Sequence, residues 1–365
     1  MTVNFHRYIH ITESLGGGVL TSIRTLCNAQ ELNGNSTKLI YLERPDTPMK
    51  KQIIEMFHSS KVVRLGRSNL IGRIKLLVYS ILLLVRFSSH DIIHVHSSIA
   101  GLITRMPNLF LRRTIHYTPH CFSFQRKDIS NIEKKIYWFV EKWLTRLTPS
   151  IILGCSESEV QLANSFGYVQ SRYMGNYVEL PREFKDEKNH SPQKKILLGT
   201  VGRVSNQKNL PRYIEILDNL NYPFDFLWIG GNERKKLELS SGNLIEFTGW
   251  LTPSAAKNKL IDLDIFLLLS DWEGLPFVAL EAMALKKPIM LWNFDSAFEL
   301  APNDSIGKIV NSIEEARTTI LSLIKSPSER IRLGNSGRKQ IENKFDITKL
   351  PKVILNIYEC RSCGK

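Results

Sequence analysis

The stretch "DIFLLLSDWEGLPFVALEAMALKKPIMLW", residues 264–292, contains the unit that decides the fold. The run "DIFLLLS" predicts a buried strand, Pro276 begins a helical pattern, and "PIMLW" predicts a second buried strand. A strand, a helix and a strand in this order predict a right-handed βαβ unit with parallel strands. Two carboxylates, Glu273 and Glu281, stand in this otherwise apolar stretch, where each needs a hydrogen-bonding partner.

The same alternation of short apolar runs and helical patterns continues in both directions along the chain. The first half contains seven such runs: "FHRYIHI", "TKLIYL", "KVVRL", "DIIHVH", "RTIHYT", "SIILG" and "RYMGN". The second half contains six: "KILLGTVG", "FDFLWIGG", "NLIEFTG", "DIFLLLS", "PIMLW" and "IGKIV". Strands that alternate with helices predict parallel sheets in an α/β protein.

A polar, charge-dense segment, "ELPREFKDEKNHSPQKK", separates the two series and is typical of a linker. We therefore predict two doubly wound, Rossmann-like domains that face each other across a cleft. The predicted parts are an N-terminal domain of residues 1–180, a linker of residues 181–194, a C-terminal domain of residues 195–345, and a helix and tail of residues 346–365. Ligands of such sheets bind beyond the carboxyl ends of the strands.

The composition is that of a soluble protein, with 43% hydrophobic and 23% charged residues among 365. The first residues lack a basic leader with a long apolar core, so we expect no signal peptide. The longest apolar stretch, residues 70–87, is interrupted by Arg73 and Lys75, and we expect a buried helix there rather than a membrane span.

The formal net charge is +14, and most of the excess lies in the first half of the chain, which indicates an anionic partner. The five cysteines are odd in number and scattered, so a disulfide framework is not expected and a reducing cytoplasm fits. Cys360 and Cys363 form one C-x-x-C pair without two further ligands near it in sequence, which favours idle thiols over a zinc site.

Two loops at predicted strand ends carry the features of phosphate sites. In "GTVGRVSNQKNLP", Arg203 and Lys208 flank the beginning of a helix, where cations and backbone N–H groups can hold an anion. A solvated loop explains this pattern equally well. In "ESLGGGVLTSI", Gly17 and Gly18 precede a helix, but Thr21 replaces the third glycine of a dinucleotide fingerprint, so a nicotinamide cofactor has little support.

The histidines and paired aspartates are weaker signals. His120 follows Pro119 in a predicted loop and could move a proton or bind substrate, although a lone histidine is more often structural. His94 and His96 share one face of a strand, but no third ligand lies at a helpful spacing, so packing is preferred to a metal site. The D-x-D of Asp262 and Asp264 is interpreted as the end of a helix and the beginning of a strand.

The two glutamates of the opening stretch can both face the cleft. Glu273 lies in the loop after a strand, and Glu281 lies on the following helix, whose other residues are small and apolar. Sugar or ribose hydroxyls would satisfy an ionised carboxylate, which only accepts hydrogen bonds. The simpler alternative is that Glu273 complements the helix dipole and Glu281 pairs with a lysine.

These motifs together resemble those of the family 4 glycosyltransferases of the GT-B fold. "EGLPFVALEAMALKKP" resembles the family's E-x7-E signature, and "GRVSNQKN" resembles its G-R-x-x-x-x-K loop. "GGGV", "HVHSSIAGLITRM" and "YTPHCFSF" resemble acceptor-domain motifs of its bacterial polysaccharide members. The matches span almost the whole chain in the expected order. Two features depart from the family: lysines at positions 286 and 287, where glycine is usual, and "NFDSAFEL", where a glycine-rich loop is usual and Glu299 matches its acidic residue.

The resemblance implies a role for each matched residue. Arg203 and Lys208 would hold the donor diphosphate, Glu281 would accept bonds from the ribose, and Glu273 would contact the donor sugar. Gly17 and Gly18 would lie beside the phosphates, and His120 near the reacting sugar. The family transfers sugar with retention and generally without a metal, so no cofactor is expected.

The resemblance thus implies a retaining transferase that moves a hexose or N-acetylhexosamine from a nucleotide sugar, with UDP expected, to a lipid-linked surface-polysaccharide acceptor. The alternatives are a nucleotide-sugar 2-epimerase of the same fold, for which no extra acid/base set is evident, and a non-catalytic sugar-nucleotide-binding subunit. Nucleic acid is not an expected partner, because no nucleic-acid-binding motif occurs.

The segment "NIEKKIYWFVEKWLTRL", residues 131–147, predicts an amphipathic helix with aromatic residues and cations. Such a helix can lie on an anionic membrane surface, or it can be an ordinary domain helix with solvated lysines. Many members of the resembled family act at the cytoplasmic face of the membrane, so we expect a cytoplasmic protein that binds this surface peripherally.

Overall fold

The computed structural model of the chain describes residues 5–167, 170–181 and 195–358. The predicted linker lies outside these ranges apart from its first residue, and Cys360 and Cys363 also lie outside them. The chain divides into two compact units, and each is described by itself. Unit 1 consists of the residues up to Asn176 together with those from Thr348 on, and unit 2 is Tyr177–Ile347.

Unit 1 contains a seven-stranded parallel sheet in the order β3-β2-β1-β4-β5-β6-β7. Its strands are β1 (Arg7–Thr12), β2 (Ser36–Glu43), β3 (Lys61–Arg67), β4 (Asp91–His96), β5 (Ile115–Thr118), β6 (Ser150–Gly154) and β7 (Gln170–Tyr173). The helices between them are α1 (Gly17–Leu32), α2 (Lys50–Met56), α3 (Leu70–Val85), α4 (Ser98–Leu111), α5 (Asn131–Leu147) and α6 (Glu157–Asn164).

Unit 2 contains a six-stranded sheet in the order β10-β9-β8-β11-β12-β13. Its strands are β8 (Ile196–Val201), β9 (Phe224–Glu238), β10 (Leu244–Gly249), β11 (Ile265–Leu268), β12 (Ile289–Trp292) and β13 (Lys308–Val310). Its helices are α7 (Leu210–Asp218), α8 (Pro253–Asp262), α9 (Phe277–Ala284), α10 (Ala297–Leu300), α11 (Ile313–Lys325) and α12 (Pro327–Gln340). A last helix, α13 (Leu350–Tyr358), returns to unit 1 and packs against α1.

The predicted fold class is confirmed, since both units are doubly wound sheets with the predicted strands in the predicted order. The difference is in β9, which was predicted to end at Gly231 and continues to Glu238. Gly230 and Gly231 both have positive φ angles, 115° and 95°, which glycine adopts without a steric penalty. The strand therefore bends at these glycines instead of ending there.

Strand order reverses once in each sheet, between β1 and β4 and between β8 and β11. Loops that leave the carboxyl ends of two such strands diverge to opposite faces of the sheet and leave a crevice for a ligand. The glycines after β1, the arginine–lysine loop after β8 and Glu273 after β11 all lie at these reversal points. The cores beneath them are apolar and include Ile11 and Val95 in unit 1 and Trp228 in unit 2.

The expectation of a buried helix in residues 70–87 is wrong in part. The helix forms as α3, with the Asn69 side chain accepting a hydrogen bond from the Gly72 backbone N–H at its beginning. Only Gly72, Leu76, Ser80 and Leu84 of α3 are buried, while most of its aliphatic side chains are exposed. Among the residues that the structure describes, no helix has the length and apolar character needed to span a membrane.

Candidate functional site

The arginine–lysine loop and the first glutamate of the opening stretch come together in unit 2. Lys208 ends a short 3-10 helix (Asn206–Lys208) after β8, and Glu273 lies in the loop after β11. Lys208 Nζ lies 2.7 Å from Glu273 Oε1, and both side chains are largely buried. The two side chains that were predicted to contact the donor therefore pair with each other at the β8–β11 reversal.

Further hydrogen bonds tie these two loops into one rigid platform. Gln207 donates from Nε2 to the Trp272 carbonyl (2.8 Å) and to Glu273 Oε2 (3.2 Å), while its own carbonyl accepts from the Asp271 N–H (2.9 Å). The Asp271 carboxylate accepts from Asn209 Nδ2 at 3.0 Å and from an Arg212 guanidinium nitrogen at 2.7 Å. These bonds restrict the position of Glu273 before any ligand binds.

The base of this platform is the buried hydroxyl of Tyr213 on α7. It lies 3.0 Å from Thr200 Oγ1 on β8 and 3.1 Å from the Leu267 carbonyl on β11, and it accepts from the Leu269 N–H at 2.9 Å. A single side chain thus bonds both strands from which the site loops leave. Burial raises the pKa of Tyr213 above its usual range, so the hydroxyl stays protonated.

Arg203 lies on the same loop as Lys208 and its side chain is exposed. The preceding residue, Gly202, has a φ of 144°, and its carbonyl accepts from Trp228 Nε1 at 2.8 Å. A Cβ at position 202 would lie 2.9 Å from Lys208 Cε. The glycine therefore lets Lys208 fold back over the end of β8, which brings both cations of the motif to the same strand end.

Glu281 lies on α9, whose other residues are mostly buried, as the sequence predicted. Burial raises the pKa of Glu281 to about 7, and Lys257 opposes this shift. Among the described residues, Glu281 has no hydrogen-bond or ion-pair partner. A raised pKa and a carboxylate without a protein partner are what a ligand-binding group would have.

α9 is held in place by close packing against α12. A Cβ at Gly334 would lie only 2.0 Å from the Lys286 carbonyl, and Arg338 donates to the Ala284 carbonyl at 2.7 Å. Lys286 itself has a φ of 57°, in the left-handed region that glycine adopts at helix ends. The structure therefore gives a reason for the glycine that the resembled family has near this position.

The remaining acidic candidates of unit 2 have structural partners. Asp262 ends α8, and the Asp264 carboxylate accepts from the Leu197 N–H at 2.8 Å before β11 begins, which confirms the predicted helix end and strand beginning. Glu299 lies on α10, where its carboxylate is 3.5 Å from Lys344 Nζ and nearly buried.

In unit 1, the glycine motif forms the beginning of α1. Gly17 is the first helical residue, with a φ of 50°, and the Asp46 carboxylate lies beside the N-cap residue Gly16, where an added Cβ would be 2.6 Å from a carboxylate oxygen. Gly17 and Gly18 are exposed, and a Cβ at Gly17 would meet no atom within 4 Å. The backbone at Gly17 therefore faces open space at the N-terminus of a 16-residue helix, at the β1–β4 reversal, and helix N-termini of this kind can bind an anion.

His120 is one end of a hydrogen-bonded chain of side chains. His10 Nε2 lies 2.9 Å from the Gln30 amide oxygen, His10 Nδ1 lies 2.9 Å from His96 Nε2, and His96 Nδ1 lies 3.0 Å from His120 Nε2. With the amide of Gln30 oriented so that its oxygen faces His10, that oxygen accepts and His10 carries its proton on Nε2. Neutral rings then place the protons of His96 and His120 on Nε2 as well, which leaves His120 Nδ1 as an acceptor.

The predicted absence of a third histidine near His94 and His96 is wrong. His10 on the neighbouring strand β1 pairs in register with His94, and ring nitrogens of the three residues lie within 4.8 Å of one another. The ring nitrogens of His94 are 2.8 Å from Thr118 Oγ1 and 2.8 Å from the Tyr358 hydroxyl. All six ring nitrogens thus have hydrogen-bond partners in the protein, which favours the packing interpretation over a metal site.

The loop that carries His120 has an unusual backbone. His120 and Cys121 have φ angles of 54° and 81°, and Ser97 after β4 has 73°. Such conformations cost about 1–3 kcal/mol each and occur often at functional sites. The buried Glu159 stabilises the loop by accepting from the N–H groups of Cys121 and Cys155. Sequence reasoning missed Glu159, because no motif marked it.

The loops of both units lie in regions that match known protein families. The family model described as glycosyl transferases group 1 matches residues 181–340, and the model described as glycosyltransferase family 4 matches residues 16–174. Together they span nearly the whole chain. The chain belongs to the family 4 glycosyltransferases of the GT-B fold. The first match contains Arg203, Lys208, Glu273 and Glu281, and the second contains Gly17, Gly18 and His120.

Individual proteins are similar to this chain over most of their length. A 41.2 kDa protein encoded in the cps region of Klebsiella pneumoniae is 29% identical over 96% of this chain and 99% of its own. An Escherichia coli UDP-Gal:α-D-GlcNAc-diphosphoundecaprenol α-1,3-galactosyltransferase is 26% identical over 75% of this chain and 76% of its own. Among solved structures, Anabaena HepE in complex with UDP and glucose has a TM-score of 0.77 with 14% identity, covering 97% of this chain and 99% of its own.

The histidine cluster of this glycosyltransferase predicts a specific pH dependence of stability. Burial lowers the pKa of His10, His116 and His120 to about 4, and burial together with neighbouring histidines holds the pKa of His94 and His96 well below the usual range. The unfolded chain therefore binds more protons below pH 6.5. The contribution of these histidines to the free energy of unfolding is complete above that pH and is lost as pH falls toward 4.

We expect the free energy of unfolding to fall over this range, because protons bind the unfolded chain's histidines before they bind the buried neutral rings. Urea unfolding of the full chain between pH 5 and 7.5 measures the slope, which His10→Gln should reduce. The matched control is His58→Gln at an exposed position, which should keep the parent's slope. Equal slopes in all three proteins would contradict the assignment of the slope to the cluster.

Proposed function

We propose that this glycosyltransferase transfers a hexose or N-acetylhexosamine, with retention, from a UDP-sugar to a lipid-linked acceptor of a surface polysaccharide. The observation that carries the proposal is the placement of Lys208, Glu273 and Glu281 on the loops and helix that follow β8 and β11. There the donor nucleotide and its diphosphate would contact paired charges and a carboxylate without a protein partner.

The chemical step would break the bond between the anomeric carbon and the diphosphate oxygen. Negative charge then builds on the leaving UDP, and an acceptor hydroxyl forms the new bond on the same face of the sugar while its proton passes to the departing diphosphate oxygen. Lys208, already held by Glu273, and Arg203 on the same loop would stabilise this charge with little reorganisation. No carboxylate of the chain is assigned as a nucleophile.

The other candidate residues would position the donor. Glu281 would accept hydrogen bonds from the ribose hydroxyls, and the Glu273 carboxylate would contact the sugar. Gly17 and Gly18 would offer N–H groups to the phosphates, and His120 Nδ1 would accept a hydrogen bond near the reacting sugar. These roles rest on the family's motifs together with the geometry of each unit.

The names of related proteins support the donor and acceptor classes. The E. coli relative is named for UDP-galactose and a diphosphoundecaprenol-linked acceptor. A Campylobacter jejuni relative, 23% identical over 57% of this chain, is named an α-1,3-N-acetylgalactosaminyltransferase of a diphospho-undecaprenol-linked sugar. Both acceptors carry a long lipid, so we also propose that the enzyme works in the cytoplasm, peripherally at an anionic membrane surface.

Removing either cation of the loop should impair the chemical step. Arg203→Ala and Lys208→Ala should each lower turnover of a UDP-sugar at least tenfold, because one charge-assisted bond to developing charge contributes about 2–4 kcal/mol. Released UDP, measured across a panel of UDP-sugars with and without lipid-linked acceptor, gives the rates. Arg332→Ala on α12 is the matched control, since Arg332 is exposed and pairs with Glu329. Near-normal turnover in both loop variants would exclude this loop from the mechanism.

Catalysis should not need a divalent cation. The diphosphate charge would be met by Lys208, Arg203 and helix N-termini, so treatment with EDTA should leave turnover unchanged. Loss of activity with EDTA and its recovery with Mn²⁺ or Mg²⁺ would contradict this, and Asp262→Asn would then test whether the D-x-D sequence holds the ion.

Glu281 should make donor binding depend on pH. With its pKa at about 7, the carboxylate is mostly protonated at pH 6 and ionised at pH 8, and only the ionised form accepts two ribose hydroxyls. The dissociation constant of a UDP-sugar should therefore fall about tenfold from pH 6 to pH 8. Titration calorimetry with the parent and with Glu281→Gln checks this, because the variant should show weak binding without the pH dependence.

The pH dependence of protein stability provides an independent measurement of the protonation of Glu281. Because folding raises the pKa of Glu281, this one group does not weaken the fold below about pH 4.5, and its contribution becomes unfavourable as pH rises through 7. Glu281→Gln should therefore raise the unfolding temperature at pH 8 relative to the parent. A pH-dependent affinity that persists in this variant would assign the effect to another group.

A further inference from the structure

The outer side of three helices in unit 1 forms a continuous candidate interaction surface, here called the α3–α5 surface. Its exposed apolar side chains are Leu70, Ile71, Ile74, Leu77, Val78, Ile81, Leu82 and Val85 of α3, Leu102, Met106 and Phe110 of α4, and Ile132, Ile136, Phe139, Trp143 and Leu147 of α5. Leu70 is 74% exposed, Ile71 64% and Phe110 88%. Soluble monomers rarely expose large contiguous apolar patches unless a partner binds there.

α3 contributes most to this surface because it is apolar on nearly all sides. Its four buried residues, Gly72, Leu76, Ser80 and Leu84, recur at every fourth position and pack toward the protein. An ordinary surface helix would carry polar residues opposite such a face. In α3 the opposite face carries isoleucine, leucine and valine instead, so the helix has a second apolar face that the described protein does not cover.

The three helices lie side by side on one face of the sheet. The chain moves from β3 to β4, β5 and β6 in one direction along the sheet, and right-handed crossovers in one direction place their helices on the same face. α3 packs against α4, and α4 against α5. The buried Arg105 of α4 bonds Glu141 of α5 at 2.5 Å, which fixes these two helices together.

Charge identifies the partner class. α3 and α4 contain no acidic residue, and of the two on α5, Glu141 is buried against Arg105 while Glu133 is exposed. The three helices and the residues directly after them contribute nine cations: Arg73, Lys75, Arg86, Arg112, Arg113, Lys134, Lys135, Lys142 and Arg146. Cations with aliphatic and aromatic side chains on one face are typical of proteins that lie in the interface of an anionic bilayer.

We propose that the α3–α5 surface binds an anionic lipid bilayer. The apolar face of α3 and Phe110 of α4 insert below the headgroups, and the cations of α5 contact the headgroups. This inference deepens the membrane association proposed above and rests on it. It assigns insertion to α3 and α4, whereas the sequence indicated only α5. A second copy of the chain is a poorer partner, because a two-fold contact would bring like charges together.

Salt concentration distinguishes the electrostatic part of this membrane contact from the apolar part. Cation attraction to headgroups is screened at high ionic strength, whereas apolar insertion is not. Co-sedimentation of the full chain with phosphatidylglycerol-containing vesicles at about 50 mM and about 500 mM NaCl should therefore show strong binding that falls to a residual level. Ile74→Gln/Val78→Gln should lower the residual binding at least tenfold, and Lys134→Gln/Lys135→Gln should lower mainly the low-salt binding.

Leu355→Gln is the matched control. Leu355 is 45% exposed, close to the 52% of Ile74, but it lies on α13, which packs against α1 rather than against α3 or α4. This variant should bind vesicles as the parent does. Equal high-salt binding by the parent and by the α3 variant would overturn the proposal, and so would a parent dimer that this variant converts to monomer.

A second measurement does not depend on loss of binding. Val78→Trp places a fluorophore on the exposed face of α3, and its emission should be quenched by lipids brominated on the acyl chain, beyond the quenching of the parent's own tryptophans. No added quenching would overturn insertion. UDP release with a water-soluble acceptor should be the same in the α3 variant and in the parent. If the parent turns over no UDP-sugar, the proposed transfer is refuted. The vesicle and quenching measurements test membrane binding independently of that result.

Discussion

Both units depend on one topological constraint, which is that the chain begins each sheet in the middle and builds it outward in two directions. The loops that follow two neighbouring strands must then lead to opposite faces of the sheet. A crevice remains between these loops at the carboxyl ends of the two strands. The chain places glycines and backbone N–H groups there in unit 1, and a lysine, an arginine and two glutamates in unit 2. The strand order determines where each candidate ligand-binding site lies, and a few side chains determine which ligand it can bind.

Around these reversal points, several polar side chains pair with each other, while one candidate ligand-binding side chain in each unit keeps hydrogen-bonding capacity. In unit 2, Lys208 bonds Glu273 and Asp271 bonds Arg212, while Glu281 has no partner among the described residues. In unit 1, hydrogen bonds from Gln30 through His10 and His96 end at His120, which is partly exposed. Partnered groups hold their neighbours in position, and the open group keeps its hydrogen-bonding capacity for a ligand.

The sequence predicted the strands and placed the candidate residues of unit 2 at strand ends, because the β8 and β11 loops each carry a compact motif. Three features were beyond it. His10 meets His94 only through the register of β1 with β4, which spacing within one segment does not reveal. Glu159 acts on the His120 loop from 38 residues away. For α3, hydrophobicity predicted the helix but could not indicate that one of its two apolar faces would be left uncovered.

α13 has a consequence for how the protein is made. Tyr358 bonds His94, and α13 packs against α1, so the core of unit 1 includes residues that follow the whole of unit 2 in the chain. During synthesis on the ribosome, the strands of unit 1 emerge first but lack this helix until Tyr358 has left the exit tunnel. Unit 2 has all its residues at an earlier moment. The half translated first is therefore the half completed last.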